Sequence, residues 1–314
     1  MLNMINRFLK TKTGAVVGAL LCTLLWGTAF PVIKLCYKHL AISSGDVGSQ
    51  VLFAGERFFL AGVMVFIFCL ILKRNGLKIS GKALLPVLSL GLVQTAMQYF
   101  CSYIGVANTT GTKTSVITAC NAFFAVLLAP LFFKNEKIGA SKLVGCAVGL
   151  AGVIIINING IAQGGISFMG EGMVLLSALC SGAGSFLSKA SAKRSDPVAV
   201  TAYQLLFGGA LLILSGVLMG GNVLYADFAG VVLLVYLAFV SAFAFALWTA
   251  LLGLHSVGRI CIFNLLIPIF GTLWSGILLG EQIFKWENLV SLIFVSVGIF
   301  LVNYSREVKH SETA

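Results

Sequence analysis

The sequence predicts an all-α polytopic membrane protein whose ten transmembrane helices form two inverted five-helix repeats. Hydrophobic residues make up 59% of the 314 residues and charged residues only 10%, whereas a soluble domain carries about a quarter charged residues. Apolar runs of about 20 residues, the length that crosses a bilayer core, recur along the chain. A near-copy of residues 21–34 (LCTLLWGTAFPVIK) recurs at residues 176–189, and the segments after each copy also match.

Ten apolar runs define the predicted helices, and only short connections separate them. The runs cover residues 14–35, 50–72, 83–104, 114–133, 142–158, 170–189, 198–219, 228–252, 259–279 and 286–304. No stretch of about ten residues alternates with a period of two, so the pattern does not predict a transmembrane barrel. Basic residues precede the first run as in a signal peptide, but no small-residue cleavage pattern follows. We therefore expect the first span to be retained.

The distribution of basic residues predicts the orientation. If the N-terminus is cytoplasmic, most of the 21 Lys and Arg residues lie in connections on the cytoplasmic side, where basic residues concentrate in membrane proteins. We therefore expect a multi-pass protein of the plasma (inner) membrane with both termini in the cytoplasm. The same bias accounts for the net charge of +11, so this charge does not predict a nucleic-acid partner.

The repeat has a consequence for topology. Five spans per half is an odd number, so the second half must enter the membrane from the opposite side. Lys34 then ends the first helix at the outer face, and Lys189 ends the sixth at the inner face. Glu136 and Glu281 likewise follow matching helices on opposite sides. Inverted repeats of this kind place a binding site near the midplane, and exchange between two related packings opens that site to each side in turn.

Glu56 and Arg57 are the ionisable residues that stand out inside a span, where a charge near the helix centre costs about 2.5–3.5 kcal/mol. Neighbours in a helix point about 100° apart, so we expect Arg57 to face the cavity and Glu56 to face an adjacent helix. Structural pairing or snorkelling is the alternative for both. Glu56 is the acidic residue that these boundaries place deep in a span, so it is the candidate for proton coupling.

Polar and aromatic side chains inside spans supply the other candidates. Gln94 and Gln98 share a helix face because they are four residues apart; they line a wet cavity or bond another helix. For the aromatic residues the alternative is packing or interfacial anchoring. Pro31 and Pro268 each free a backbone carbonyl and are candidate hinges. The predicted substrate cavity comprises Trp26, Phe30, Arg57, Gln94, Gln98, Tyr99, Tyr203, Gln204, Trp248 and Asn264.

Three segments carry a family resemblance: WGTAF at 26–30, YQLL at 203–206 with the glycines at 208 and 209, and Pro268 followed by Gly280 and Glu281. They resemble the drug/metabolite transporter superfamily, and residues 14–158 and 170–304 are similar to two tandem EamA repeats. The resemblance implies a ten-helix secondary transporter with a central cavity, usually an exporter of small metabolites such as amino acids. Phe123 stands where the second half has Pro268, so the two halves of the cavity differ.

We therefore expect a secondary transporter that binds a small-molecule substrate in the bilayer, with protons as the candidate coupling ion. We expect no metal and no cofactor. The alternative substrates are phosphorylated sugars or nucleotide-sugars, for which only Arg57, Lys34 and Lys189 supply cations. An enzyme is not expected, because no HExxH, GxSxG or GxxxxGK[ST] motif is present. A non-transporting scaffold or receptor is the alternative from another class, although it does not need an inverted duplication. The sequence leaves monomer and homodimer open.

Overall fold

The computed structural model describes residues 7–71, 79, 81–132, 140–156, 167–192, 194–225, 227–255, 260 and 262–311. These residues form helices joined by turns, with no strand among them. The helices are α1 Lys12–His39, α2 Val47–Ile71, α3 Gly81–Asn108, α4a Gly111–Thr118, α4b Asn121–Phe132, α5 Ala140–Ile156, α6 Met173–Ala192, α7 Pro197–Leu218, α8 Phe228–Leu254, α9 Leu266–Leu279 and α10 Trp286–Ser311. A π-helical turn, Phe168–Gly172, precedes α6, and a 3-10 turn, Ile262–Leu265, precedes α9.

Six segments among the described residues are long and apolar enough to cross a membrane. They are α1, α2, α3, α7, α8 and the segment Phe168–Ser188, which contains most of α6. Shorter apolar stretches lie in α5, α9 and α10. This content confirms the predicted class, an all-α polytopic membrane protein.

Side-chain caps fix where several helices begin. Thr11 accepts a hydrogen bond from the amide of Gly14 at 3.0 Å and so starts α1. Asp196 starts α7 by accepting from two amides of its first turn, with Pro197 at the first helical position. Both arrangements satisfy amides that have no partner inside the helix.

The α2 and α7 helices cross in close backbone contact and run antiparallel. A methyl group on Gly55 would lie 2.4 Å from the backbone nitrogen of Ile213, and one on Gly62 would lie 2.7 Å from that of Leu206. Residues with higher numbers in α2 therefore contact residues with lower numbers in α7. Even a methyl group would be too close to the opposite backbone at both positions, so glycine is required there. Small residues are what let transmembrane backbones come together.

The other helix contacts come in matched pairs: each contact made by a helix of the first half has an equivalent made by its counterpart in the second half. α1 packs against α8 and α9, and its counterpart α6 packs against α3 and α4b. α2 packs against α8, and its counterpart α7 packs against α3. The counterparts α5 and α10 also cross antiparallel, because a methyl on Gly298 would lie 2.6 Å from Gly145 O and one on Gly152 would lie 2.9 Å from Ser291 O.

Two predicted helices differ from the structure in their regularity. The helix expected at 114–133 is interrupted between α4a and α4b, where the amides of Ala119 and Cys120 bond the carbonyls three residues earlier. The helix expected at 259–279 includes the 3-10 turn before α9. α3 keeps its predicted position but contains a π-helical stretch, Gly91–Met97. Apolar periodicity does not register these changes, because the residues on either side remain apolar.

The antiparallel helices α1 and α8 mark two opposite ends of the bundle. At one end His39, which ends α1, lies 2.6 Å from Asp227, which caps α8. At the other end the His255 ring, just after α8, lies 2.7 Å from the carbonyl of Leu9, before α1. We call these the outer and inner ends after the predicted orientation.

Candidate functional site

One face of α8 organises the candidate site. Leu237, Ser241, Phe245 and Trp248 follow each other at intervals of three and four residues, so they share a helix face. α8 packs against α1 and α2. Side chains from those two helices meet the α8 face at successive turns, about 5.4 Å apart.

Arg57 of α2 joins three helices at this face. Its side chain is 3% exposed. Nε donates to Leu237 O at 3.2 Å and to Ser241 Oγ at 3.1 Å, and Nη2 donates to the same hydroxyl at 2.9 Å. Nη1 donates to the hydroxyl of Tyr103, on α3, at 2.9 Å. The guanidinium is therefore held in place by neutral groups.

Within the part of the chain that the structure describes, no carboxylate lies within 4.0 Å of Arg57. The adjacent Glu56 points elsewhere, since its carboxylate accepts a hydrogen bond from the hydroxyl of Tyr225. A guanidinium carries five N–H donors, and a buried charge without a counter-charge is costly. The arrangement can therefore accept an anionic group from a ligand.

An aromatic wall lies one turn further along α8. The Trp26 ring of α1 lies 5.6 Å from that of Phe245 and 5.1 Å from that of Trp248, centroid to centroid. All three are half-buried, as is Phe30, one turn along α1. Such a wall beside a cation suits a solute that has a charged end and an apolar end.

Tyr99 belongs to the arginine cluster. Its ring lies 3.8 Å from the ring of Phe58, and the Arg57 guanidinium carbon lies 4.8 Å from the centre of that same Phe58 ring. The ring of Tyr103 is edge-on to Tyr99 at 6.5 Å. The sequence prediction named Tyr99 but left Tyr103 out of the cavity, although Tyr103 is the residue that bonds Arg57.

The side-chain amides that were predicted to line the cavity have oxygens without a hydrogen-bond partner. Among the described residues, buried side-chain oxygens without a hydrogen-bond partner include those of Gln94, Gln98, Gln204 and Asn264. Gln94 lies within the π-helical stretch of α3 and packs against Gly184. The backbone of Gln204 lies at the start of that stretch, because a methyl on Gly91 would lie 3.0 Å from the Gln204 backbone oxygen. Stretches of π-helix occur frequently at functional sites, and buried polar atoms normally have partners. These amides are available to a ligand's N–H or O–H groups.

Other predicted residues lie away from the arginine cluster. Tyr203 makes an edge contact with Phe66 at 6.3 Å and packs with Leu90 and Leu187. Pro31 is buried within the continuous helix α1, and Pro268 is buried in the first turn of α9. Lys34 and Lys189 were expected to end their helices, but α1 continues to His39 and α6 to Ala192. Glu136 lies outside the described residues.

Sequence reasoning missed Ser241 and Phe245. A signal for both was present, because Leu237, Ser241, Phe245 and Trp248 repeat at helical spacing. The pattern carries no weight alone, however, since α8 is apolar over most of its length. The partner helix that brings Arg57 to this face is what gives the two residues their position.

A polytopic helical bundle whose equivalent helices cross antiparallel, with a buried cation beside that crossing, is typical of membrane transporters built from inverted repeats. The chain belongs to the EamA-like transporter family, whose profile matches residues 13–158 and 168–304. This match in two tandem segments confirms the resemblance noted in the sequence.

Curated relatives carry transporter names. The chain is 26% identical over 308 residues to a Salmonella typhimurium protein named a probable amino-acid metabolite efflux pump, covering 93% of this chain and 96% of the relative. It is 22% identical over 294 residues to a Chlamydia muridarum S-adenosylmethionine/S-adenosylhomocysteine transporter, covering 88% of each. One protein of known crystal structure superposes with a TM-score of 0.68 at 17% identity, over 95% of this chain and 99% of that one, and shows the fold alone.

Proposed function

We propose that this protein is a secondary transporter that exports small amphipathic metabolites such as amino acids across the plasma membrane. The observation that carries the proposal is Arg57, a buried guanidinium held by Ser241 and Tyr103 and lacking a carboxylate partner among the described residues. Charge-assisted bonds from a guanidinium to a carboxylate are stronger than those to neutral groups. A substrate carboxylate therefore competes well for this position.

The aromatic wall supplies the second half of the recognition. A substrate whose carboxylate lies at Arg57 places its apolar group against Trp26, Phe245 and Trp248, which follow at the next turn of α8. The unpartnered amides of Gln94 and Gln98 then accept hydrogen bonds from a substrate amino group. The name of the Salmonella relative supports the same substrate class.

Alternating access follows from two packings of the halves, residues 14–158 and 170–304, with both termini in the cytoplasm. The helix contacts related by exchange of the halves support this mechanism, because two such packings have similar energies. Pro31 and Pro268 serve as hinges in this proposal. Glu56, bonded by Tyr225 towards the outer end, is the candidate site for a coupled proton.

The alternative substrates, phosphorylated sugars and nucleotide-sugars, are supported less well. A phosphate group carries about two negative charges, so a single guanidinium does not neutralise it. Among the side chains that the structure describes, Arg57 is the one buried cation. Lys113 is paired with Glu171 at 2.9 Å, so it is already neutralised.

Counterflow uptake into liposomes that contain the purified protein tests the proposal, with a panel of labelled amino acids, organic acids and sugar phosphates. We expect saturable uptake of amino acids and at least a tenfold loss in Arg57→Gln, because the variant leaves the substrate charge unpaired. Arg57→Lys should not restore uptake, because an ammonium cannot reproduce the fork of donors. Arg7→Gln removes an exposed charge and is the matched control.

Two outcomes contradict this function. Uptake of sugar phosphates without amino acids would support the alternative substrates. Full uptake in folded Arg57→Gln would remove Arg57 from the site. A pH gradient applied in the same assay tests coupling: stimulation by the gradient should vanish in Glu56→Gln, whereas gradient-independent counterflow should remain.

A further inference from the structure

A groove with a volume of about 510 Å³ opens between α3 and α7 near the inner end. Its walls come from the start of α3 and the first half of α7, and they are almost entirely apolar. The lining residues are Ile79, Leu84, Val87, Leu88, Tyr203, Leu206 and Phe207. Leu84 is 50% exposed, so the groove opens to the side of the bundle, where the acyl chains of the bilayer lie.

Two cations lie beside the start of the α3 wall of this groove, and we call their position its inner mouth. Lys82 precedes the α3 wall, and Arg194 Nη1 donates to the backbone carbonyl of Lys82 at 3.4 Å. Both side chains are exposed, and within the described residues neither has a carboxylate within 4.0 Å. The nearby Asp196 is engaged elsewhere, because it accepts hydrogen bonds from the amides of Val198 and Ala199. Among the described residues named here, two cations face one carboxylate, so the mouth carries net positive charge.

We propose that the groove binds an anionic phospholipid of the inner leaflet. The headgroup phosphate lies between Lys82 and Arg194, and one acyl chain follows the apolar walls towards Phe207. Lys82 and Leu88 are about 9 Å apart along the helix, so a phosphate beside Lys82 lets the attached acyl chain run along the groove. Basic pockets at this membrane depth recognise anionic headgroups.

The groove lies against the helix segment that carries two of the predicted cavity residues, Gln94 and Gln98. A methyl group on Gly91 would lie 2.9 Å from Phe207 Cδ1, so the floor of the groove touches the start of the π-helical stretch of α3. The backbone of Gln204 lies against the same glycine. An acyl chain in the groove therefore supports the helix segment that positions Gln94, and the bound lipid stabilises the protein.

The test uses purified full-length protein in detergent, titrated with dioleoyl phosphatidylglycerol or dioleoyl phosphatidylcholine, with bound lipid counted by native mass spectrometry and stability followed by thermal unfolding. We expect phosphatidylglycerol to bind more tightly and to raise the unfolding temperature. Lys82→Gln and Arg194→Gln should each lower its affinity about fivefold. The charge-matched controls Lys38→Gln and Lys285→Gln, both exposed at the outer end, should leave affinity unchanged.

A second pair of variants tests the groove itself. Leu84→Trp fills the groove, whereas Leu85→Trp changes a neighbour that is 74% exposed and does not line it. We expect only Leu84→Trp to displace phosphatidylglycerol. Equal effects of the two lipids, or equal losses in the outer-end controls, would overturn the proposal. Unchanged binding in folded Leu84→Trp would also overturn it, by showing that the headgroup binds the surface without the chain.

Discussion

The two halves of the molecule meet at α2 and α7 with the same backbone geometry. A methyl on Gly62 of α2 would lie 2.7 Å from the nitrogen of Leu206, and one on Gly209 of α7 would lie 2.4 Å from the nitrogen of Phe59. The two contacts are reciprocal, because the same residue shift that converts Gly62 into Gly209 also converts Phe59 into Leu206. A two-fold relation between the halves produces this reciprocity.

Equivalent positions of α2 and α7 carry different side chains. Where α2 carries Glu56 and Arg57, α7 carries Tyr203 and Gln204. Arg57 is bonded to α3 and α8, whereas the side-chain oxygen of Gln204 has no partner among the described residues. In the transport mechanism that we propose, the symmetric packing provides two conformations of similar energy, and the different side chains give the substrate a single orientation.

The largest expected effect comes from breaking the symmetric crossing. Gly62→Leu and Gly209→Leu force side-chain atoms into the opposite backbone, which cannot withdraw as a flexible side chain can. We expect each to lower the free energy of unfolding by about 1–3 kcal/mol or more, by similar amounts because the contacts are reciprocal. Thermal unfolding in detergent measures this.

The control for the crossing is Gly81→Ala. A methyl there meets nothing within 4 Å, and alanine favours the helix, so stability should hold or rise. A large loss in Gly62→Leu with none in Gly209→Leu would contradict the reciprocal relation.

The second prediction concerns the asymmetric chemistry. The swap Arg57→Gln with Gln204→Arg keeps composition and moves the guanidinium to the other half. We expect transport to stay at least tenfold below wild type, because Ser241 and Tyr103 face position 57. Gln204→Leu alone should reduce transport only a few fold, since one hydrogen bond contributes about 1 kcal/mol. Restored transport in the swap would show that the halves are interchangeable.

The architecture was predictable from the sequence to the extent that it depends on composition. Lengths of apolar runs place the helices, because a span must be apolar over the whole bilayer. The break between Thr118 and Asn121 was not predictable, since it depends on local backbone hydrogen bonds in a run that stays apolar. The crossing of α2 and α7 was visible only as scattered glycines, which are abundant in the chain.

The candidate site was predictable in its charged residue and less so in its partners. Arg57 stands out because a cation inside a span is costly. Its bonds to Leu237 and Ser241 depend on how α2 packs against α8, and residues so far apart in sequence give no local signal. Tyr203 is the opposite case. Its position in α7 corresponds to that of Glu56 in α2 and it was predicted to line the cavity, whereas the structure places it in the wall of the groove near the inner end.

A third prediction concerns the outer end, where Glu281 ties the second half to the first. After α9, its carboxylate accepts hydrogen bonds from the amides of Gly111 and Thr112 at 2.8 and 2.9 Å and from the Thr112 hydroxyl at 2.7 Å. These bonds cap α4a, and a carboxylate suits a helix N-terminus. Glu281→Ala should lower the free energy of unfolding by about 1–2 kcal/mol. Gln282→Ala, at an exposed neighbour, should have little effect; equal losses would show that the cap contributes nothing.

The smallest expected effect is a pH dependence at the contact between α8 of the second half and α1 of the first. The amide of Ala229 bonds Asp227, and His39 lies beside it, so the pKa of Asp227 is lowered from its ordinary value. A lowered pKa in the folded state stabilises the protein above the ordinary aspartate pKa, about 3.9, and this stabilisation is lost as the pH falls through the lowered value. Asp227→Asn keeps the cap and removes the titration, so its unfolding temperature should fall slightly below wild type at neutral pH and converge with it in acid. A difference that stays constant down to the most acidic pH would contradict the assignment to Asp227.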